Sequence, residues 1–263
     1  RYGADGVRMG MMLCAPAGND ILFDDSLCEQ GRNFCNKIWN CFRLVKGWEV
    51  ADAAMPETNK WGVEWFEAVL AKAQVEIADL FSKYRLSEAL MAIYKLYCDE
   101  FSGWYLEIIK PAYGQPIDKE TYEKTLGFLD TMLKLLHPFM PFITEELWQN
   151  LAERKDGESL MVTPLEAISS ATQHDAILNN ATQYFEIISS IRNIRAQKNI
   201  SPKEVLTLVC PETLPAVVVK LANVELAVGA EKSAGSASFI IGTTEYSVPL
   251  EKFINVDEEL KKL

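Results

Sequence analysis

The stretch DDSLCEQGRNFCNKIWNCFRLVKG, residues 24–47, decides the fold class, because its apolar residues recur at helical spacing. Two aspartates stand at its start, where they can cap a helix, and Gly47 supplies a stop at its end. At about 100° per residue the apolar side chains fall on one face of the helix. They are Phe34, Ile38, Cys41, Phe42 and Val45. This pattern predicts an amphipathic helix that packs one face into a helix bundle.

Helical spacing of the apolar residues continues to about residue 166, and no long run alternates as a strand would. Four further helices are predicted, over Lys60–Lys83, Leu86–Ile109 and Thr121–Leu136, and from an N-cap at Thr144 onward. We assign the aromatic residues Phe139, Phe142 and Trp148 to the core. Residues 1–166 are therefore predicted to form a mainly α, antiparallel helix bundle.

The composition changes after Pro164, and residues 167–263 are predicted to form a small mixed α/β subdomain. A helix over 173–198 precedes four short strands, and Gly242-Thr243 is a hairpin signal between the last two. The strands are Val205–Cys210, Leu226–Ala230, Ala237–Ile241 and Glu245–Leu250. A charged helix begins at Val256. The start at Arg1 without Met and the short final helix suggest a piece of a longer protein.

The overall charge excludes a diffusely basic nucleic-acid-binding protein. Lys and Arg number 26 against 37 Asp and Glu, which gives a formal charge of −11, so any contact with a polyanion must be local. No apolar run approaches the ~18 residues of a membrane helix, and no signal peptide is visible. We expect a soluble, cytoplasmic monomer that does not contact a membrane.

The residue types of catalytic and metal sites are sparse. The six cysteines include no C-x-x-C pair and the chain has two histidines, so we predict reduced core thiols and no metal site. No nucleotide-binding, nucleophile-elbow or zinc-protease motif is present. His137 is interpreted as a core or helix-end imidazole. We therefore predict no catalytic residue in this chain.

Two windows without any acidic residue stand out in this acidic chain. They span Gln30–Trp48 and Ile187–Lys203. The first carries Arg32, Lys37, Arg43 and Lys46, and the second carries Arg192, Arg195, Lys198 and Lys203. Together they favour two local surfaces that face anions, although two ordinary solvated helix faces are the alternative.

The polar face of the helix over residues 24–47 combines three kinds of RNA-binding side chain. Arg32, Asn36, Asn40 and Arg43 lie opposite the apolar face, with Asn33 and Lys37 on the flank and Trp39 beside them. Unpaired RNA bases are bound by aromatic or Arg stacking and by side-chain amides. Trp39 could equally pack against a neighbouring helix. The charges and amides are what favour RNA.

Four segments resemble the valyl-tRNA synthetases, which are class I aminoacyl-tRNA synthetases. Gly31–Asn40 (GRNFCNKIWN) resembles the start of their anticodon-binding helical domain, and Arg1–Arg8 resembles the stretch after the K-M-S-K-S loop. Leu136–Trp148 (LHPFMPFITEELW) resembles their late bundle motif, and Ile191–Pro202 resembles the helix after the bundle. His-Pro-Phe-x-Pro alone also occurs in related isoleucyl, leucyl and methionyl enzymes, so the combination of segments carries the resemblance.

The resemblance implies the tRNA-binding, anticodon-recognising part of a valine–tRNA ligase, which joins valine to tRNA using ATP and magnesium. The catalytic and editing domains would precede Arg1 in the same longer chain, so we expect this piece to be inactive alone and to hold no cofactor. Most of a C-terminal coiled-coil arm would follow Leu263. The expected partner is valine tRNA.

Roles for individual side chains follow from that expectation. Asn33, Asn36 and Asn40 would read the anticodon bases A and C, while Arg32, Lys37 and Arg43 would bind phosphates or stack. Arg192 and Arg195 would contact the tRNA backbone or form a hinge salt bridge between bundle and tail. The competing hypothesis is a helical protein-interaction scaffold without RNA specificity.

Overall fold

The computed structural model describes residues 1–15, 23–166, 175–233 and 235–250. The chain divides into two compact units, Arg1–His174 and Asp175–Leu263, which we call the helical unit and the mixed unit. The helix predicted from Val256 lies outside the described residues. Each unit is described by itself.

Seven α-helices and one π-helical segment make up the described part of the helical unit, which confirms the mainly α prediction. They are α1 (Gly3–Leu13), α2 (Asp25–Lys46), α3 (Glu57–Ser82), α4 (Leu86–Lys95), the π segment (Leu96–Tyr105), α5 (Leu106–Ile109), α6 (Lys119–Leu136) and α7 (Pro141–Leu151). A two-residue parallel pair, β1 (Val50–Ala51) with β2 (Ile117–Asp118), was not predicted. It joins the segments before α3 and α6.

The single helix predicted over Leu86–Ile109 is continuous but not uniformly α-helical. Its middle is the π segment, whose Phe101 and Tyr105 are fully buried. Their ring centroids lie 5.4 Å and 4.8 Å from that of Phe66 in α3, and Phe128 of α6 lies 5.0 Å from the same ring. Four aromatic rings therefore form the centre of the core, at the separations that favour aromatic pairs.

Helices α1 and α2 approach each other backbone to backbone. A Cβ atom on Gly31 would lie 2.5 Å from the carbonyl oxygen of Gly6, and one on Gly10 would lie 2.5 Å from Sγ of Cys28. Such distances are not tolerated between real atoms. Glycine is therefore required at this helix crossing because the space for a side chain is absent.

The structure corrects two predictions about α7. This helix begins at Pro141, a residue whose fixed φ suits the first turn, and not after an N-cap at Thr144. Thr144 is buried and its hydroxyl donates to the carbonyl of Met140 at 2.7 Å. Phe142 is 64% exposed, so its assignment to the core is wrong, whereas Phe139 and Trp148 are buried as predicted.

The mixed unit contains helix α8 (Asp175–Gln197) and a four-stranded sheet. Its later elements are β3 (Leu206–Cys210), α9 (Ala216–Ala222), β4 (Val224–Val228), β5 (Ser236–Ile241) and β6 (Thr244–Pro249). The strand order is β4-β3-β6-β5, with β3 and β4 parallel and the other pairs antiparallel.

Two local features of the mixed unit can be compared with the sequence prediction: the turn between β5 and β6, and helix α9. Ile241 pairs with Thr244, so the two-residue turn at Gly242-Thr243 connects β5 and β6 as expected. Helix α9 was not predicted, and its run of three valines is not a helix signal, since valine is more common in strands. Pro215 precedes it as the N-cap, and α9 forms the crossover between the two parallel strands.

Candidate nucleic-acid interface

Helix α2 places its polar residues as the sequence predicted. Asp24 caps it by accepting a hydrogen bond from the backbone N–H of Ser26 at 2.8 Å, and its apolar face is buried. Asn33, Asn36, Asn40 and Arg43 are exposed, and Arg32 and Lys37 are half-buried. The structure thus brings the predicted amides and cations of α2 to one accessible face.

The cations of this face differ in the partners that they already have within the chain. Arg32 forms an ion pair with Glu29 at 2.7 Å, and Lys37 Nζ donates to the carbonyl of Cys98 at 3.4 Å. Within the described ranges, Arg43 has no acidic side chain at ion-pair distance. Of these three cations, Arg43 is therefore the best placed to bind an external anion.

Two clefts separate α2 from the helix that follows α3. The α2–α5 cleft, of about 550 Å³, is lined among others by Asn36, Asn40, Glu107 and Lys110. The α2–α4 cleft, of about 510 Å³, is lined among others by Glu29, Gln30, Tyr94 and Asp99. Asn33 and Lys37 line both clefts. Both volumes fall within the range of small-molecule pockets.

The opposite wall of these clefts was missed by the sequence reasoning. Tyr94, Asp99 and Glu107 belong to the run Leu86–Ile109 that was predicted as one regular helix, and Lys110 directly follows it. The π segment shifts the angular position of every later residue relative to a regular α-helix. An α-helical projection therefore cannot place Glu107 and Lys110 beside α2.

Trp39 lies at the edge of the polar face. Its side chain is 40% exposed, and the centroid of its indole lies 6.4 Å from that of Phe42 in the same helix. It lines neither cleft. The exposed part of the ring is available to a partner of α2.

The second predicted surface is not built as expected, because Arg195 is only 6% exposed. Its guanidinium donates to the carbonyls of Ser201, Ala222 and Asn223 at 2.9 to 3.1 Å. These partners lie in the mixed unit, and two of them end α9. The expectation of an exposed Arg195 that contacts the tRNA backbone is corrected, because its guanidinium is buried and hydrogen-bonded within the mixed unit.

Arg192 lies one turn before Arg195 on α8, and its Nη2 donates to the carbonyl of Leu221 at 3.2 Å. This bond also holds the end of α9 against α8. The two arginines thus supply positive charge at the carboxyl end of a helix, where cations are favourable.

His137 ends α6 and packs against α7, in agreement with its interpretation as a helix-end imidazole. Its Nδ1 lies 2.8 Å from Oγ1 of Thr144. Burial lowers the pKa of His137, although Glu145 and Asp5 act in the opposite direction. The imidazole is therefore held in its neutral form near neutral pH.

The cysteines and acids of the described residues do not form a reactive or metal-binding cluster. The six thiols are free, and burial raises the pKa of Cys35 to about 11. In the parts of the chain that the structure covers, no group of three His, Cys, Asp or Glu residues could hold a metal ion. Within the same parts, no helix has both the length and the apolar character that crossing a bilayer requires.

Comparison with known families now identifies the fold. Residues 63–210, more than half of the chain, match the family described as the anticodon-binding domain of tRNA ligase. The chain belongs to this family. The match to the anticodon-binding family begins within α3 and ends at the last residue of β3, so it includes the π segment and both arginines of α8.

Individual relatives extend the similarity to the whole chain, including α2. The chain is 64% identical to a valine–tRNA ligase of Phocaeicola vulgatus and 59% identical to one of Parabacteroides distasonis, over 100% of this chain and 30% and 31% of those proteins. It is 33% identical to a valine–tRNA ligase of Fusobacterium nucleatum, over 100% of this chain and 32% of that protein. The chain spans about a third of the length of these relatives.

Proposed function

We propose that this chain is the tRNA-reading part of a valine–tRNA ligase and that the exposed face of α2 contacts the anticodon loop. The observation that carries this proposal is the presentation of three asparagines and Arg43 on one exposed face, beside two clefts. The anticodon-binding family and the valine–tRNA ligase relatives support the class of ligand.

The proposed readout depends on the chemistry of the valine anticodon. Valine codons begin with G and U, so the informative anticodon bases are A and C. Each presents an amino donor beside a ring-nitrogen acceptor, and a side-chain amide offers the matching acceptor and donor. Among the described residues, none forms a hydrogen bond to the side chain of Asn36 or Asn40. We therefore assign base reading to Asn36 and Asn40. We also assign it to Asn33, whose Oδ1 accepts a hydrogen bond from Arg32 at 3.3 Å while its amide N–H groups remain available to a base.

The cations of α2 have the complementary role of holding the RNA backbone. We assign Arg43, Arg32 and Lys37 to phosphate contact, and Trp39 to stacking against a base. The net charge of −11 means that the rest of the surface repels RNA. Binding is therefore expected to be local to α2 and sensitive to salt.

The activity of the whole protein is part of the same proposal. The longer protein would attach valine to its tRNA with ATP and magnesium, as the resemblance implies. The valine–tRNA ligases that this chain resembles are about three times its length, so we place ATP and magnesium in catalytic domains outside this chain. We further propose that the protein is monomeric and works in the cytoplasm.

The test is filter binding of the chain to valine tRNA transcripts that carry the native or an altered middle anticodon base. We expect about 5- to 150-fold weaker binding to the altered transcript, since a bidentate contact gives about 1–3 kcal/mol of discrimination. Random RNA of equal length is the control for nonspecific binding. Equal affinity for valine tRNA and random RNA would instead support a scaffold without RNA specificity.

Two variants separate base reading from phosphate contact. Arg43→Ala should weaken binding to every RNA and reduce the slope of log affinity against log salt by about one. Asn40→Ala should leave that slope unchanged and reduce discrimination between the anticodons. If Asn40→Ala left discrimination intact, Asn40 would not be a reading residue.

A further inference from the structure

We propose that the two clefts beside α2 bind two neighbouring unpaired bases separately, cytosine in the α2–α4 cleft and adenine in the α2–α5 cleft. This inference rests on the proposed function and adds the residues of the opposite wall as specificity determinants. Asp99 is the first of them, because it carries the carboxylate that lines the cytosine cleft from that wall.

Asn33 and Lys37 form a ridge between the two clefts, and this ridge makes the clefts separate subsites. Asn33 and Lys37 line both clefts and stand one helical turn apart on α2. The bond from Lys37 Nζ to the carbonyl of Cys98 links α2 to the π segment at this ridge. A base that occupies one cleft therefore has Lys37 between itself and a base in the other.

The separation of the clefts requires unstacked bases. The α2 residues that line the two clefts are centred about seven positions apart, which is about 10 Å along a helix. Stacked nucleotides rise only about 3.4 Å per step. Two neighbouring bases can therefore occupy both clefts only when splayed apart, the form in which proteins read single-stranded RNA.

The α2–α4 cleft has the chemistry that distinguishes cytosine from uracil. Asp99 supplies a carboxylate, a group that accepts from the cytosine amino group, whereas uracil has a carbonyl oxygen at the same position. Gln30 lines the opposite side and can donate to the ring nitrogen. The Tyr94 ring stands 4.9 Å from Phe34, which fixes an aromatic surface in the cleft.

The α2–α5 cleft is better suited to adenine. Asn36 and Asn40 stand four residues apart on α2, so both amides line the same wall. Asparagine is the side chain that pairs with adenine through one donor and one acceptor. Glu107 and Lys110 of the opposite wall complete the polar lining.

The charges of the clefts support this division. The cytosine cleft has Glu29 and Asp99 against the shared Lys37, so it repels phosphate and accepts amino groups. The adenine cleft has Lys37 and Lys110 against Glu107. The RNA backbone is therefore expected to pass on the side of the adenine cleft.

The experiment measures two base preferences of the chain with four valine tRNA transcripts: native, the anticodon C changed to U, the A changed to G, and both changed. Asp99→Asn should reduce the preference for C over U about tenfold and leave the preference for A over G unchanged. Asn40→Ala should reduce the preference for A over G about tenfold and leave the preference for C over U unchanged. Glu153→Gln, an exposed acid that lines neither cleft, is the matched control and should change neither preference.

The outcomes separate this inference from the proposed function. If the wild-type chain prefers C and A but Asp99→Asn alters both preferences equally, or neither, the division into two subsites is wrong while anticodon reading stands. If the wild-type chain shows no preference for either base, both proposals fail. Gln30→Ala provides a second measurement, and it should weaken only the preference for C. Circular dichroism establishes that each variant is folded.

Discussion

The carboxylate of Asp5 accepts a hydrogen bond from the backbone N–H of Ile143 at 2.7 Å, although 138 positions separate the two residues. A second, longer bond comes from Phe142 N–H at 3.4 Å. Asp5 thus caps the first turn of α7 from another helix, while Arg8 of the same helix donates to the carbonyls of Pro138 and Phe139. These contacts attach α1 to the segment between α6 and α7.

Replacing Asp5 should destabilise the helical unit. Asp5→Ala leaves two N–H groups of α7 without their acceptor, and loss of such a cap costs about 1–2 kcal/mol. Urea unfolding followed by circular dichroism measures the change. Asp5→Asn, which keeps an acceptor oxygen, should lose less than Asp5→Ala. Equal losses in the two variants would contradict the capping role.

Two glycine-to-alanine changes should shift stability in opposite directions. Gly31→Ala inserts a methyl group against the backbone of Gly6 and should cost about 1–3 kcal/mol, because both contacting groups are main chain. Gly127 is exposed on α6 with no heavy atom within 4 Å of an added Cβ, so Gly127→Ala should stabilise by about 0.5–1 kcal/mol. Thermal unfolding of both variants checks the prediction. A neutral Gly31→Ala would mean that α1 can move away without cost.

Loss of the Arg195 guanidinium should destabilise the mixed unit and not the interface with RNA. Arg195→Met keeps much of the apolar stem but removes the donors for three carbonyl groups, so we expect a loss of about 2–3 kcal/mol. Faster hydrogen exchange of the amides in α9 and β3 would measure this loss of stability. Lys203→Met, an exposed change in the same acid-free window, is the control. RNA affinity that fell without faster exchange would restore Arg195 to the interface.

The stability of the helical unit should decrease as the pH falls below about 6.5, the ordinary pKa of histidine. Burial lowers the pKa of His137, so the unfolded state binds its proton more readily, and the stabilisation present above 6.5 is lost as the pH approaches the lowered value. His137→Gln should show a shallower decrease between pH 7 and pH 5, measured by urea unfolding.

The lower limit of that pH range lies above the range in which Glu145 titrates. Burial raises the pKa of Glu145, but hydrogen bonds from Gln149, Ser159 and the backbone of Leu160 outweigh burial, so the pKa is lowered from 4.5. Its stabilising contribution is therefore present above pH 4.5 and is lost at lower pH. An unchanged slope in His137→Gln between pH 7 and pH 5 would show that His137 does not titrate on unfolding.

Most helix boundaries could be predicted from the sequence, because apolar periodicity records which face of a helix is buried. The prediction failed at α7, where the cap comes from Asp5 in a distant helix and no local pattern reveals it. It failed again at α9, where valines favour a strand but Pro215 and the crossover between parallel strands require a helix. Both errors arise from tertiary contacts that override local preference.

The candidate site shows the same limit. The polar face of α2 followed from a helical projection, since α2 is a regular helix with one buried face. The acid-free window around Arg195 gave a misleading signal, because a charge pattern does not distinguish an exposed guanidinium from one that caps a buried helix end. Asp99 and Glu107 were missed because the π segment changes the residues that face α2.

The glycine crossing of α1 and α2 has a mechanical consequence. Gly31 immediately precedes Arg32, and Gly6 would place an added Cβ 3.1 Å from the backbone nitrogen of Arg32. No rotatable side chain stands between the two main chains at this point, so a displacement of α1 has nothing to absorb it. We therefore expect a shift of α1 toward α2 to move the backbone of Arg32, and with it the start of the polar face of α2.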